Sequence, residues 1–299
     1  MTIPNTTPAP SAAIQPQTHD EFYSTAYLAE YYDVWIGSWT DTELYSSVLN
    51  ETVSRTPATD PIIVLDIGAG TGRITHALAA NLPKPTKTSN VHFLGVDNAP
   101  HMLERARTLT DPSHAAQISW ILGSACDLTS LPSFRDEGLR VDMAVFACGS
   151  ICHMYKPGQA EQVFRQVASV LRPETGRAYI SVLKMGLAET GLAGQMETAQ
   201  PEGLVRSKAF GDIVYREEWV RQEIVDCVWH NTRHITVVRE MGDGTETVVE
   251  DNYAVCRLRI FGEDELRRAA TTAGLRVVEV LDRRNDAHDE LVFVFEVDS

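Results

Sequence analysis

Short runs of apolar residues alternate along the chain with longer stretches in which apolar positions recur every three or four residues. The runs have the length of buried strands, and the stretches have the period of amphipathic helices. This alternation predicts parallel strands joined by right-handed helical crossovers, that is, an α/β fold with a doubly wound, seven-stranded, mostly parallel sheet. The predicted strands lie near residues 62–67, 91–96, 118–122, 141–146, 177–183, 275–281 and 291–297. Helices are predicted between them, among them 73–81, 159–171 and 263–273.

The amino-terminal segment has a different character. Residues 1–20 are rich in Thr, Pro and Ala and have neither a basic end nor an apolar centre. This composition predicts a disordered tail rather than a targeting peptide. From about residue 19 to residue 54, apolar and aromatic side chains follow a helical period, which predicts a pair of helices ahead of the sheet.

Residues 186–259 break the alternation of strands and helices. A loop rich in glycine and alanine comes first, at 186–211, and three stretches of strand type follow at 213–220, 224–240 and 245–260. Gly242-Asp-Gly244, between the last two, is typical of a hairpin turn. We expect an antiparallel insertion that either covers the carboxyl edge of the main sheet as a lid or pairs two copies of the chain. The chain then divides into a tail (1–20), a core domain (21–185 and 260–299) and the insertion (186–259).

Composition excludes several classes of function. The 299 residues include 41 acidic and 26 basic side chains, a net charge of −15, and no basic stripe of the kind that holds nucleic acid. No apolar run has the length of a membrane span. The five cysteines form no C-x-x-C pair, which favours reduced thiols over a disulfide framework or a metal site. We therefore expect a cytoplasmic protein that binds no nucleic acid, membrane or metal.

The most specific pattern lies at the end of the first predicted strand. Residues 62–72 read Ile-Ile-Val-Leu-Asp-Ile-Gly-Ala-Gly-Thr-Gly and lead directly into a helix. Such a turn exposes backbone amides to a ligand at the carboxyl end of a parallel strand. A dinucleotide-binding turn would need its third glycine at position 73, which is Arg73. The carboxylate of Asp66 suits instead a ligand with an ammonium group. A structural turn and a nucleotide site remain the alternatives.

Polar residues follow three further predicted strands. Asp97 ends the second strand and can accept two hydrogen bonds from the vicinal hydroxyls of a ribose. Strand 118–122 leads to Gly-Ser-Ala-Cys-Asp, and strand 141–146 leads to Ala-Cys-Gly-Ser-Ile-Cys-His. Because the carboxyl ends of parallel strands meet at one edge of the sheet, we expect a single binding site there.

The D-x-G-x-G-x-G pattern at 66–72 resembles the first motif of class I S-adenosylmethionine-dependent methyltransferases. Residues 98–107 resemble the helix after the second strand of that family, and 123–128 its G-D-x-x-D-L segment, with Ser124 in place of the usual acid. The resemblance implies a Rossmann-like methyltransferase fold with an antiparallel last strand, S-adenosyl-L-methionine as cofactor, and Met102 packed on the adenine. The expected cofactor-binding residues are Tyr23, Asp66, Gly68, Ala69, Gly70, Gly72, Asp97, Asn98, Met102, Ala125, Cys126, Asp127 and Cys148.

A narrower resemblance rests on three features: Tyr-Tyr-Asp-Val-Trp at 31–35, the G-S-I-x-H run at 149–153, and the antiparallel insertion. Together they are similar to small-molecule methyltransferases, in particular to aminosugar N-methyltransferases and their glycine- and sarcosine-methylating relatives. In those enzymes a Y-D-x-x-Y segment folds over the cofactor, and the G-S-I-x-H run lines the reaction centre. Ile36 stands here in place of the second tyrosine, so the identity of the methyl acceptor does not carry over.

Histidine and aromatic side chains are the candidates for catalysis and acceptor binding. His153 could take a proton from the acceptor with a pKa near 7, or only hydrogen-bond to it. Tyr32 could orient the acceptor, contact the cofactor, or only pack. Trp35, Trp219 and Trp229 are expected in the substrate pocket, with structural packing as the alternative.

These features predict transfer of a methyl group from S-adenosyl-L-methionine to a nitrogen or oxygen of a small molecule, in specialised metabolism, by an enzyme that could dimerise through its lid. Two other functions fit the same motifs. One is a cyclisation or rearrangement at the same cofactor site, and the other is a non-catalytic partner subunit.

Overall fold

The computed structural model describes residues 15–19, 23–36, 41–57, 60–82, 90–188, 204–283 and 290–298. The α-helices in these ranges are α1 (Ala26–Ile36), α2 (Thr42–Arg55), α3 (Arg73–Ala80), α4 (Pro100–Leu109), α5 (Pro132–Arg135), α6 (Gln159–Val170) and α7 (Glu263–Thr272). The strands are β1 (Gln17–His19), β2 (Ile62–Ile67), β3 (Val91–Asp97), β4 (Ile118–Leu122), β5 (Met143–Phe146), β6 (Arg177–Leu183), β7 (Val205–Arg206), β8 (Ile213–Val225), β9 (Val228–Glu240), β10 (Glu246–Arg259), β11 (Leu275–Arg283) and β12 (Glu290–Val297). Each of these helices is too short or too polar to cross a lipid bilayer.

Seven strands form the main sheet in the order β11-β12-β6-β5-β2-β3-β4. β4, β3, β2, β5 and β6 pair in parallel, and β12 is inserted antiparallel between β6 and β11. The predicted doubly wound α/β fold and its antiparallel last strand are therefore confirmed. The order along the sheet reverses between β2 and β5, so the crevice for a ligand lies at the carboxyl ends of these two strands.

The main sheet is buried on both faces, as an apolar strand such as β2 requires. Ile63 and Leu65 face a core layer that includes Phe164 of α6 and Leu266 of α7. Their neighbours Ile62 and Val64 face the opposite layer, which contains apolar side chains of α2 and α3. The rigid frame formed in this way holds the loops at the carboxyl edge in place.

The amino-terminal segment forms the two expected helices, α1 and α2. The expectation of a disordered tail up to residue 20 is wrong for residues 17–19, which form β1 and pair in parallel with residues 252–254 of β10. The pairing satisfies backbone groups on the open side of β10, and the His19 side chain adds a hydrogen bond of 2.8 Å to Asn252. Residues 1–14 lie outside the described ranges.

The predicted antiparallel insertion is present as a second sheet with the order β1-β10-β9-β8-β7. The hairpin at Gly242-Asp-Gly244 joins β9 to β10 as expected. The predicted break between residues 220 and 224 is wrong, because β8 continues to Val225 through a bulge near Trp219. The chain instead turns at Asp226 and Cys227, both of which have a positive φ. Without a glycine, this turn gives little signal in the sequence.

Candidate active site

The glycine turn after β2 opens a cavity at the carboxyl edge of the main sheet. Gly68, Gly70 and Gly72 all have positive φ values, which other residues adopt only with strain. A Cβ placed on Gly70 would lie 3.9 Å from Met102 and 4.0 Å from Tyr32, inside the space that these residues enclose. Glycine at this position therefore keeps the floor of the cavity open to a ligand.

The cavity has a volume of about 550 Å³ and lies between the carboxyl edge of the main sheet, helix α1 and the second sheet. Ten of the predicted site residues line it: Tyr23, Tyr32, Gly68, Gly70, Asp97, Asn98, Met102, Ala125, Cys126 and His153. These residues come from segments spread over 130 positions of the chain (153 minus 23), and the fold brings them together.

Asp97 at the end of β3 is held by backbone donors. Its Oδ2 accepts a hydrogen bond of 2.7 Å from the amide of Gly70, and its Oδ1 accepts one of 2.8 Å from the amide of Ala99. Each carboxylate oxygen has a second lone pair, so both can still accept from the hydroxyls of a ligand. The carboxylate therefore orders the glycine turn and presents acceptors to the cavity.

Five predicted cofactor residues do not line the cavity, and three of them have structural roles around the turn or at the surface. Asp66 is buried beneath the turn, where it accepts a hydrogen bond of 2.7 Å from Thr75, and burial raises its pKa to about 6. Gly72 makes room for packing, because a Cβ there would lie 2.5 Å from the ring of Trp120. Asp127 is exposed and accepts a hydrogen bond of 2.8 Å from Ser130. This geometry does not support the expected direct contact between Asp66 and the ammonium group of a ligand.

Ala69 and Cys148 also lie outside the cavity wall but next to it. The Ala69 amide donates to the carbonyl of Val96, which joins the turn to β3. Cys148 has a positive φ and shares a side-chain hydrogen bond with Tyr32. Burial raises the pKa of the Cys148 thiol to about 12, so the thiol is protonated at neutral pH. Cys148 thus supports Tyr32 rather than the ligand directly.

Two tyrosines of the amino-terminal segment close one side of the cavity. The rings of Tyr23 and Tyr32 meet edge to face with their centroids 5.3 Å apart. Burial raises the pKa of both hydroxyls well above the usual value, so both are uncharged donors. Tyr32 therefore packs against Tyr23, which is one of the roles expected for it, and its hydroxyl is hydrogen-bonded to Cys148.

His153 ends the 3₁₀ turn Ser150–His153, which follows β5, and it lines the cavity. Burial lowers its pKa to about 4, because removal from water disfavours the charged form of the imidazole. The expected pKa near 7 is therefore wrong. The imidazole is uncharged at neutral pH and suits hydrogen bonding better than proton storage.

The tryptophans expected in the substrate pocket do not line the cavity. The Arg233 guanidinium lies 4.4 Å from the ring centroid of Trp219 and 5.4 Å from that of Trp35. Trp219 also stacks on Trp229, with centroids 6.4 Å apart. The residues of the second sheet that do line the cavity are Val255, Cys256 and Arg257 of β10.

Two acids that the sequence did not single out fasten the amino-terminal helices to the glycine turn. Asp33 of α1 accepts hydrogen bonds from Thr71 in the turn and from Arg105 in α4. Asp41, which precedes α2, pairs with Arg73 at the start of α3. Arg73, which stands where a dinucleotide-binding turn would need a glycine, is thus bound to this buried carboxylate.

Other wall residues were missed although their position carried a signal. Several directly follow or end a strand of the main sheet, where ligands of α/β folds bind. The missed residues at this edge are Val96, Gly123, Ser124, Phe146, Ser150, Met154, Tyr155, Lys156 and Gln159. Among the described residues, no group of three or more His, Cys, Asp or Glu side chains is arranged to hold a metal.

The residues of this cavity fit S-adenosyl-L-methionine. Gly70 leaves the space beside the turn open, Asp97 offers oxygen acceptors to ribose hydroxyls, and Met102 provides an apolar wall that is 2 % exposed. The fold, with the order of its sheet and this site, defines a class I methyltransferase.

Comparison with known proteins agrees with this fold. The family model described as "Methyltransferase domain" matches residues 64–174. The chain is 30 % identical over 283 residues to the N-methyltransferase FrzE of Cladobotryum sp, with 91 % of this chain and 95 % of that protein covered. The chain belongs to the S-adenosylmethionine-dependent methyltransferases, and S-adenosyl-L-methionine is its cofactor.

Two solved structures have a similar fold. The sugar N-methyltransferase KedS8 from Streptoalloteichus sp matches with a TM-score of 0.62 and 16 % identity, over 98 % of each chain. DesVI from Streptomyces venezuelae matches with a TM-score of 0.61 and 18 % identity, over 93 % of this chain and 100 % of that one.

Proposed function

We propose that this methyltransferase moves the methyl group of S-adenosyl-L-methionine to a nitrogen atom of a small molecule in specialised metabolism. The observation that carries the proposal is a cavity that joins Asp97 and Gly70 to His153 under the cover of β10. A covered cavity suits a small acceptor better than a macromolecule. The similarity to an N-methyltransferase over nearly the full length supports nitrogen over oxygen as the acceptor atom.

The cofactor would be held by the residues at the ends of β2, β3 and β4. Asp97 would accept hydrogen bonds from the ribose hydroxyls, and Met102 would pack on the adenine. The adenine would also be bordered by Asn98, Ala125 and Cys126. When bound, S-adenosyl-L-methionine supplies an activated methyl group, so the protein needs mainly to align the acceptor and exclude water.

His153 would position the acceptor rather than store its proton. An uncharged imidazole accepts a hydrogen bond from the N–H of an amine and directs the nitrogen lone pair. A pKa of about 4 makes the group a weak base, so the proton released after transfer would leave to solvent. Tyr32, fixed by Tyr23 and Cys148, would shape the same part of the cavity.

The second sheet would act as the lid of residues 186–259 over the core domain of 21–185 and 260–299. Support comes from Val255, Cys256 and Arg257, which form part of the cavity wall. We also propose that the protein works in the cytoplasm, in keeping with the free thiols of all five cysteines.

The test is to incubate the purified protein with S-adenosyl-L-methionine and a panel of small amines. Formation of S-adenosylhomocysteine together with products heavier by one methylene is expected. Consumption of an amine without S-adenosylhomocysteine would contradict methyl transfer.

Asp97→Asn tests the cofactor contact. We expect affinity for S-adenosylhomocysteine, measured by calorimetry, to fall about tenfold or more, because a charged acceptor is lost at a cost of about 1.5–3 kcal/mol. Asp111→Asn, an exposed carboxylate bonded to Ser113, is the matched control and should not change affinity. Unchanged affinity in Asp97→Asn would contradict the ribose contact.

A further inference from the structure

The inner face of the lid changes character along its strands. Near α1 it is apolar, with Tyr215, Ile235, Val237 and Ala254 packed against Leu28 and Tyr31. Towards the β8–β9 turn it becomes polar, with Arg233 and Asn231 on the same face of β9, since alternate residues share a face. The polar part contains Asn231, a buried side chain to which the proposed function gives no role.

Asn231 is 1 % exposed, and neither its amide nitrogen nor its amide oxygen has a hydrogen-bond partner among the described residues. Asn252, also 1 % exposed on the same sheet, is bonded to His19 at 2.8 Å and to Glu250 at 3.1 Å. More than nine in ten buried polar groups in proteins are paired, and an unpaired one costs about 1–3 kcal/mol. Burial of the Asn231 amide therefore costs folding free energy that no hydrogen bond among the described residues offsets.

Asn231 lies next to the cavity. It is directly opposite Cys256 in the antiparallel pairing of β9 and β10, so their Cβ atoms are about 4.5–5.5 Å apart. Cys256 lines the cavity, and β10 packs against the turn that carries His153. Asn231 is therefore the direct cross-strand neighbour of a residue in the cavity wall.

The charge around Asn231 is balanced. Arg233 donates a hydrogen bond of 2.9 Å to Glu217, and the side chains of this pair are 8 % and 2 % exposed. Because the pair is compensated, an additional ionic group on this face would lack a counter-charge. A carboxamide both donates and accepts, so its natural complement is an uncharged group that does the same.

We propose that Asn231 is a substrate-positioning residue that binds a carboxamide or lactam group of the methyl acceptor. This inference rests on the proposed function, since it assigns one part of the acceptor that the methyltransferase uses. Trp229 lies two residues before Asn231 on the same face of β9, and Trp219 stacks on it.

The experiment uses the full chain saturated with S-adenosylhomocysteine and matched sets of amines as probes. One set is phenylalaninamide, phenylalanine and phenethylamine, and the other is leucinamide, leucine and isoamylamine. We expect calorimetry to show that each carboxamide binds more tightly than its two analogues. In Asn231→Leu this advantage should fall about tenfold or more, with unchanged affinity for S-adenosylhomocysteine.

Two variants separate binding from structure. Asn231→Leu should unfold at the same or a higher temperature than the wild type, because it removes an unpaired amide, whereas Asn252→Leu should unfold at a lower temperature. Asn231→Asp keeps the shape of the side chain but loses its N–H donors, and it should also lose the carboxamide preference. It replaces Asn231→Leu in the test if the leucine variant does not fold.

Absence of carboxamide binding or preference in the wild type would overturn the assignment. So would an equal loss for all three probes of a set, or a destabilised Asn231→Leu. Failure of the proposed function gives a different result, namely no binding of S-adenosylhomocysteine and no methylated product.

Discussion

At the scale of single residues, similar side chains near the glycine turn have different environments. Asp97 presents its oxygens to the cavity, whereas Asp66, two residues before the first glycine, is bonded to Thr75 beneath it. His153 is likewise defined by burial, which lowers its pKa to about 4. Charge states in this site therefore follow from solvent exclusion more than from residue type.

His153→Gln tests the positioning role of the histidine. We expect kcat for methyl transfer to fall, with affinity for S-adenosylhomocysteine nearly unchanged, because the imidazole faces the acceptor side of the cavity. His92→Gln, an exposed residue of β3, is the matched control. Equal kcat in His153→Gln and wild type would remove the assignment.

His153 also predicts a dependence of stability on pH. Its pKa is lowered on folding from 6.5 to about 4, so the unfolded chain binds the proton at a higher pH than the folded chain. Stability due to this group is therefore present above pH 6.5 and is lost as the pH falls towards 4. Between these pH values, the free energy of unfolding measured with urea should fall by about 1–3 kcal/mol less in His153→Gln than in the wild type. Parallel curves for the two proteins would show that the group does not titrate in this way.

At the scale of elements, the side chain of Asp33 fastens helix α1 to the glycine turn. Asp33 joins α1 to Thr71 and to Arg105, so one carboxylate connects three elements around the cavity. Tyr32, next to it in sequence, lies on the cavity wall. The position of α1 and the shape of the cofactor site are therefore coupled.

Asp33→Ala is expected to weaken binding of S-adenosylhomocysteine about tenfold, since hydrogen bonds to a charged group contribute about 1.5–3 kcal/mol. Calorimetry measures the affinity, and circular dichroism checks that the fold is retained. Asp136→Ala removes an exposed carboxylate paired with Arg135 and should leave affinity unchanged. A loss of equal size in both variants would speak against the coupling.

At the scale of the whole molecule, the outer edge of β8 is the candidate surface for the dimer expected through the lid. β7 pairs with β8 at residues 214 and 215, and from Arg216 to Val225 no described strand covers its outer edge. Val220, Ile224 and Val225 there are 47–52 % exposed. An exposed apolar edge is a ready site for strand pairing with a second chain.

Ile224→Lys tests the dimer that the sequence leads us to expect through the lid. Analytical ultracentrifugation is expected to give a dimer for the wild type and a monomer for Ile224→Lys, because a charge at the edge opposes pairing. Val278→Lys places the same charge on an exposed apolar position of β11 and should leave the dimer intact. A monomeric wild type would rule out the interface.

The sequence by itself determined the main sheet, the glycine turn and the acid at the end of β3. Their signals are local, since apolar runs, glycine spacing and an acid at a strand end depend on neighbouring residues alone. For that reason the strands, the antiparallel β12 implied by the family resemblance, and ten wall residues could be predicted.

The tertiary structure alone decided which side chains reach the cavity and in what charge state. Arg73 pairs with Asp41, thirty-two residues away. In the lid, Trp219 packs on Arg233 and on Trp229 instead of lining the site. Asn231, which has no hydrogen-bond partner among the described residues, is likewise buried on a face formed by three paired strands, β8, β9 and β10. Such contacts depend on distances between remote segments, which no local pattern contains.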